Sequence, residues 1–363
     1  MSDTVHFSET PNTPQRPILS DDRLEFAQHC AHSLGFTGVL RVIARTPYSL
    51  VLSADAPDSD RAPSVDAPKL GENDPALVSE NPKSSSRTEA FFKFNPEGSA
   101  DEAGILNWLA TCAPGLAPEL LAAWPERGAL ATRPAGSPAS AIADTAALLD
   151  VLELALANLG RMQARAQQTS VIQSFSQFAQ ECLPTRSLPG RILDMGHPGG
   201  LLAQDGLSDA DLALLPRAMA RAQSLCDRLA ALPILDSVEH GDFSDGNVMV
   251  DATGAPRVID WAEARVAHPF FSFERMAARL GRWRGLDREG PGIKRLEIAH
   301  NAAWSALAAP SEIAQARELA KSLQSLYFVV CDAALLRLPY MRAELRIGRL
   351  ANPVHAFIHA SRR

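Results

Sequence analysis

Two short runs rich in β-branched residues, Val248 to Val250 and Arg257 to Ile259, flank the turn sequence Asp251-Ala-Thr-Gly-Ala255. Runs of this kind about a Gly-containing turn predict an antiparallel hairpin. Such a hairpin brings Asn247 and Asp260 to the same open end, because each lies just outside its strand. One amide oxygen and one carboxylate then converge. Asp242, five residues before Asn247 in the stretch Val238-Glu-His-Gly-Asp-Phe-Ser-Asp-Gly-Asn247, faces the same space.

A small number of hard oxygen ligands is what Mg²⁺ accepts when phosphate oxygens and water complete its octahedron. Phosphoryl transfer needs a metal on the phosphates, a carboxylate that orients the attacking hydroxyl, and a cation. The spacing H-x-D-x-x-x-x-N, His240 to Asn247, is that of a kinase catalytic loop. A metal-dependent phosphoesterase is a rival reading of His240, Asp242, Asn247 and Asp260, but such sites usually gather more His and carboxylate residues around two metals. Asp245, beside a glycine, reads as a turn residue bonded to its own backbone. Glu263, His268 and Glu274 follow Asp260 and are read equally well as acceptor contacts, surface charges or buried hydrogen-bonding groups.

Upstream, residues 1–20 are polar, and Asp21 to Leu34 have helical spacing up to Gly35. Gly38 to Ala44 and Tyr48 to Ala54 read as two strands about Arg45-Thr46-Pro47. Residues 55–88 are rich in Ser, Pro, Asp and Ala and too poor in large apolar side chains to offset their ordering entropy, which predicts a mobile insertion. AFFKF is a strand carrying Lys93, and the helix that follows opens on Asp101-Glu102, acids suited to a helix start. Glu102, with Asp101 as its rival, is the expected ion-pair partner of Lys93. Beyond Gly136 and Pro138 the spacing is mainly helical, as in Asp144 to Ala164, Ser208 to Ala231, Glu297 to Leu307 and Glu312 to Leu338. Trp108, Trp124, Trp283 and Trp304 read as core or cleft-lining aromatics.

HGDFSDGNVMV followed by VIDWAEA resembles the aminoglycoside phosphotransferase and choline kinase-like family, relatives of the eukaryotic protein kinases. The match is specific from about Ser237 to Phe273. The resemblance implies Asp242 as the catalytic aspartate, Asn247 and Asp260 as metal ligands, and His240 as a brace for the loop. It implies Lys93 as the phosphate-binding lysine and Glu102 as its helix partner. It further implies Ser49 in the phosphate turn and Thr132, in the hinge-like segment Gly128 to Ser140 whose backbone meets adenine, as nucleotide-binding positions. The turn Arg45 to Ser49 has no glycine, and Phe273-Glu274 stands where many relatives carry Asp-Leu. The implied cofactors are ATP and Mg²⁺, and the implied acceptor is a hydroxyl of an aminoglycoside, amino alcohol or sugar-like small molecule.

The fold expected is α+β, bilobal and protein-kinase-like. A small antiparallel-sheet lobe over 21–133 binds nucleotide, and a larger, mainly helical lobe over 134–363 carries the catalytic loop, metal site and acceptor site. A nucleotide-binding pseudokinase or scaffold without transfer activity is the alternative, favoured by the glycine-free turn and the long insertion. A formal net charge of -7 gives no broad basic surface for nucleic acid. No apolar stretch is long enough for a membrane span. Five scattered cysteines, read mainly as core thiols, suit a reducing compartment, and the expected location is the cytoplasm. The sequence leaves the oligomeric state open.

Overall fold

The computed structural model describes residues 21–36, 40–45, 50–55, 88–96, 98–336 and 347–360. Helix α1 (Asp21–Ser33) precedes β1 (Leu40–Arg45), β2 (Leu50–Asp55) and β3 (Thr88–Phe94). Then come α2 (Glu102–Cys112), β4 (Leu120–Trp124) and β5 (Ala129–Thr132). The five strands form one sheet in the order β1-β2-β3-β5-β4, with every neighbouring pair antiparallel.

Successive strand residues point to opposite faces, and β3 uses that alternation to separate core from chemistry. Phe92 and Phe94 pack with Ala27, Cys30 and Ala31 of α1. Lys93 points to the other face, opposite Leu130, which belongs to the core shared with Ile105 and Leu106 of α2. Asp101 caps α2 by accepting the Gly104 N–H at 3.0 Å, which leaves Glu102 in its first turn free to meet Lys93.

The rest of the chain is mainly helical. It runs through β6 (Ser137–Pro138), α3 (Thr145–Ala166), α4 (Thr169–Ser176), α5 (Leu188–Met195), α6 (Leu201–Gln204) and α7 (Asp209–Leu229). It continues with β7 (Ser237–Glu239), β8 (Val248–Val250), β9 (Pro256–Val258), β10 (Arg265–Ala267), α8 (Phe270–Arg284), α9 (Pro291–Asn301), α10 (Pro310–Leu335) and α11 (Ala351–His359). The predicted helices at 144–164 and 208–231 form, with Asp144 and Ser208 acting as caps rather than first helical residues. The helix expected from Glu297 instead begins at Pro291, whose ring suits a first helical position, and ends at Asn301.

β8 and β9 form the hairpin, with Val248 opposite Val258 and Val250 opposite Pro256, one residue earlier on the second strand than the pattern suggested. β6 lies against the other edge of β8. Gly136 makes this possible: its φ is +108°, and a Cβ there would lie 1.9 Å from the Val250 carbonyl oxygen. β7 pairs with β10, which completes the small sheets that hold the loop between them.

The turn bearing Ser49 and residues 56–87 of the insertion lie outside the described residues, as does the expected helix beyond Leu336. Of the cysteines, Cys30, Cys226 and Cys331 are buried, whereas Cys112 is half-buried and Cys182 is exposed. Trp304 is core, but Trp283 is 68% exposed, because it sits on the outer face of α8. Among the described residues no helix is long and apolar enough to cross a membrane.

Candidate active site

The sheet and the helical part meet at Lys93. Its Nζ lies 2.7 Å from Glu102 Oε2 and 2.5 Å from Asp260 Oδ1, a residue 167 positions away. Burial works against the ammonium, but the Asp260 and Glu102 carboxylates more than offset it and hold the lysine charged. Glu102 is itself locked, accepting from Asn95 Nδ2 at 2.7 Å and from the Trp261 N–H at 3.1 Å. One buried carboxylate thus joins β3, α2 and the segment that carries Asp260.

Asp260 is the only non-glycine residue among those described with a positive φ, at 66°. A left-handed aspartate is uncommon and marks a position where surrounding structure imposes the conformation. Here β9 has just ended, and the Ile259 N–H donates to the Asn247 carbonyl at 3.0 Å, extending the hairpin pairing past β8. The Asp260 side chain is 45% accessible, and the neighbouring Lys93 ammonium, against the effect of burial, holds its carboxyl below the usual range.

Asn247 uses its amide nitrogen on Asp242, donating to the backbone oxygen at 2.9 Å and to Oδ2 at 3.2 Å. That fixes the rotamer so that the amide oxygen is the atom left for a ligand. Asp242 Oδ1 accepts from Arg275 Nε of α8 at 3.0 Å, while the carboxyl remains 37% accessible. His240 is fully buried and braces the loop from within. Its Nδ1 accepts the Asp242 N–H at 3.3 Å, so Nε2 carries the hydrogen and donates to the Ile259 carbonyl at 3.0 Å. Burial pushes the imidazole down in pKa despite nearby Asp260, Glu239 and Asp242, which favours this neutral tautomer.

Gly241 has φ +87°, and a Cβ there would lie 2.4 Å from the Glu263 carbonyl oxygen. The loop therefore passes its neighbour at a distance only glycine allows. Glu239 is buried and anchors the loop's start, accepting from the Gly241 N–H at 2.8 Å, from Ser272 Oγ at 2.8 Å and from the Tyr327 hydroxyl. Glu263 sits close enough to Asp242 and Asp260 that burial and those two carboxylates push its carboxyl up to about 7.

The structure brings Lys93, Glu102, His240, Asp242, Asn247 and Asp260 into one constellation. Thr132 lies two residues from Leu130, opposite Phe91, on the sheet face that Lys93 shares; it belongs to the same face but is bonded to none of these groups. Asp245 does not bond its own turn as expected: its side chain is buried and accepts from Arg279 Nε at 2.8 Å, while its carbonyl accepts the Ser140 N–H. Glu274 is 1% exposed and accepts from Arg288 Nη2 through both carboxylate oxygens at 2.8 and 3.1 Å, and His268 is 1% exposed among phenylalanines, so neither faces the cleft. Arg275 and Glu239 escaped sequence reasoning. Only the placement of Glu239 beside His240, at the end of a strand, hinted at its part.

The family model for the phosphotransferase enzyme family matches residues 80–310. Among solved structures, a choline/ethanolamine kinase family protein from Mesorhizobium loti is similar with a TM-score of 0.57 at 15% identity, over 94% of this chain and 93% of that one. An ethanolamine kinase from Plasmodium vivax is similar with a TM-score of 0.56 at 13% identity, over 94% and 86%. A macrolide 2'-phosphotransferase type I follows with 0.53 at 16% identity, over 93% and 98%. At these identities the likeness establishes the bilobal kinase-like fold. No curated protein sequence matches significantly.

Proposed function

We propose, from the premise that this chain belongs to the phosphotransferase enzyme family, that it moves the γ-phosphoryl group of ATP to a hydroxyl of a small molecule. The observation that carries this reading is the join of Lys93, Glu102 and Asp260 across the two lobes, beside an Asp242 whose carboxyl stays accessible. We place the nucleotide between a small lobe over 21–133 and a larger one over 134–363, with Lys93 on its phosphates and Ser49 and Thr132 as further nucleotide positions.

The residues present fit Mg²⁺: Asn247 offers an amide oxygen because its nitrogen is committed to Asp242, and Asp260 offers a carboxylate held in place by its backbone. When bound, the metal neutralises charge that develops on the transferred group. The protein's own work is positional. Asp242 orients the acceptor hydroxyl and takes its proton at the free part of its carboxyl, while Arg275 and Asn247 hold that carboxyl in one orientation. His240, neutral and buried, keeps the loop's backbone fixed to Ile259, next to Asp260.

Aminoglycosides, amino alcohols and sugar-like compounds are the acceptor classes implied by the resemblance, and a reducing cytosol is the compartment that five free cysteines favour. Replacing Asp242 by Asn should lower turnover by roughly a thousandfold or more, of the order lost when a positioned acid–base group is removed, while nucleotide binding persists. Turnover within about tenfold of wild type would remove Asp242 from this role, whereas nucleotide binding by the wild type with no transfer to any hydroxyl would favour a scaffold.

A further inference from the structure

A cavity of about 1170 Å³ opens beside Asp242 between α8, α10 and the start of α11. Lys93, Asn247 and Asp260 are not on its wall, so it lies apart from the nucleotide groups. Among the described residues its wall carries five cations, Arg275, Arg279, Arg282, Lys321 and Arg349, against two acids, Asp242 and Asp332.

Their pairing sets the sign of the space. Both acids are already engaged: Arg275 holds Asp242 at 3.0 Å, and the Arg349 fork clasps Asp332 at 2.8 Å through both nitrogens. Arg279 and Lys321 find their carboxylates outside the wall, on buried Asp245 at 2.8 Å and on Glu289 at 2.6 Å. The Arg282 side chain has no hydrogen bond or ion pair to another described residue, and Trp283 beside it is 68% exposed. An excess of one sign of charge on the wall of a cleft biases which ions enter it. A polycation there meets like charges and finds no carboxylate without a cation already on it, since the accessible Asp242 is held by Arg275 and Asp332 by Arg349. An oxyanion meets the unengaged Arg282 guanidinium, whose geometry matches carboxylate and phosphate, with Arg349 and Lys321 on the same wall.

We propose that the acceptor is anionic: a hydroxyl compound that also bears a carboxylate or phosphate group, seated on the Arg282 and Arg349 side of the cleft with its hydroxyl toward Asp242. This rests on the reading of Asp242 as the group that faces the acceptor, and it narrows the acceptor classes to hydroxy acids and phosphorylated sugars or polyols.

Trp283 supplies a reporter that needs no known substrate. Quenching of its fluorescence by iodide and by caesium, taken as the difference between wild type and Trp283→Phe and each divided by its quenching of free N-acetyltryptophanamide, reads the local sign. A potential of one kT favours the anion over the cation by about sevenfold in ratio, and the preference should shrink toward unity as salt shortens the Debye length to about 3 Å at 1 M. Arg282→Glu should cut the preference at low salt. With ATP and Mg²⁺ present, matched hydroxy acids, sugar phosphates and amino alcohols are then compared for phosphoryl transfer and for salt-sensitive shifts of Trp283 emission. Response to the phosphate-bearing set or to the carboxylate-bearing set tells which oxyanion is taken. Normalised caesium quenching equal to or stronger than normalised iodide quenching, or tighter binding of amino alcohols or aminoglycosides than of the anions, would overturn the proposal. Loss of nucleotide binding would strike the phosphotransferase reading instead and leave the quenching result standing.

Discussion

Truncating Glu102 to alanine removes a buried side chain that, with Lys93, ties β3, α2 and the Asp260 segment together. The carboxylate is 4% exposed and accepts three hydrogen bonds, from Lys93 at 2.7 Å, Asn95 at 2.7 Å and the Trp261 N–H at 3.1 Å. Breaking a buried ion pair by removing one partner costs about 3–5 kcal/mol, and each buried donor left without an acceptor costs about 1–3 kcal/mol. Lys93 keeps Asp260 as a partner, so its charge is not orphaned, and the total falls toward the low end. We expect about 3 kcal/mol of lost stability for Glu102→Ala, and less than half of that for Glu102→Gln, which keeps the volume and one acceptor oxygen. Chemical denaturation reads the loss as a lowered midpoint with unchanged slope. Nucleotide affinity should fall in both variants, because Lys93 is then drawn only toward Asp260. A Glu102→Ala protein within about 0.5 kcal/mol of wild type, the range of a neutral surface change, would refute the reasoning.

Two further outcomes follow from the geometry. Gly241→Ala should cost about 2 kcal/mol or more, since a left-handed alanine carries roughly 1–2 kcal/mol of strain and its Cβ meets the Glu263 carbonyl at 2.4 Å; denaturation and transfer assays should both register it, and wild-type values in both would contradict the loop geometry. Asp211 of α7 accepts from His355 at 2.9 Å and His359 at 2.7 Å of α11. Burial pushes its carboxyl up, but the bonds from His355, His359 and Ser208 more than offset this and lower it from 3.8 to about 2. A depressed carboxylate stabilises the fold above its unfolded value, and that contribution drains away as pH falls through the folded value. The stability gap between wild type and Asp211→Asn should therefore be full near pH 5, shrink below about pH 4 and close near pH 2. A gap constant over that range would show that the carboxylate is not the source.

The parts of the site legible in the sequence were those set by local pattern. The hairpin followed from β-branched runs about a glycine turn, and with it the convergence of Asn247 and Asp260. Lys93 and Glu102 could be paired because consecutive elements present them on one face. Contacts between distant elements left no such trace. Arg275 reaches Asp242 from 33 residues away, on a helix whose periodicity says only that the residue is polar. Asp245 looked like a turn residue because Asp before Gly usually is one, yet the arginines of α8 claim it. Glu274 drew notice by departing from the family's usual pair and proved to be a buried partner of Arg288. The start of α9 is legible in Gly290-Pro291, with Ile293 and Leu296 one turn apart behind it, six residues before the expected start at Glu297.

The central claim is that a nucleotide and its metal are held by Lys93, Asn247 and Asp260. Thermal unfolding with ATP, with and without Mg²⁺, on wild type and Asp260→Ala tests it most directly. At about 100 times its Kd a ligand adds about 2.7 kcal/mol of stability. The account predicts a clear rise in Tm with ATP that Mg²⁺ enlarges in wild type and leaves unchanged in Asp260→Ala. No shift with ATP, or an equal magnesium effect in the variant, would contradict it.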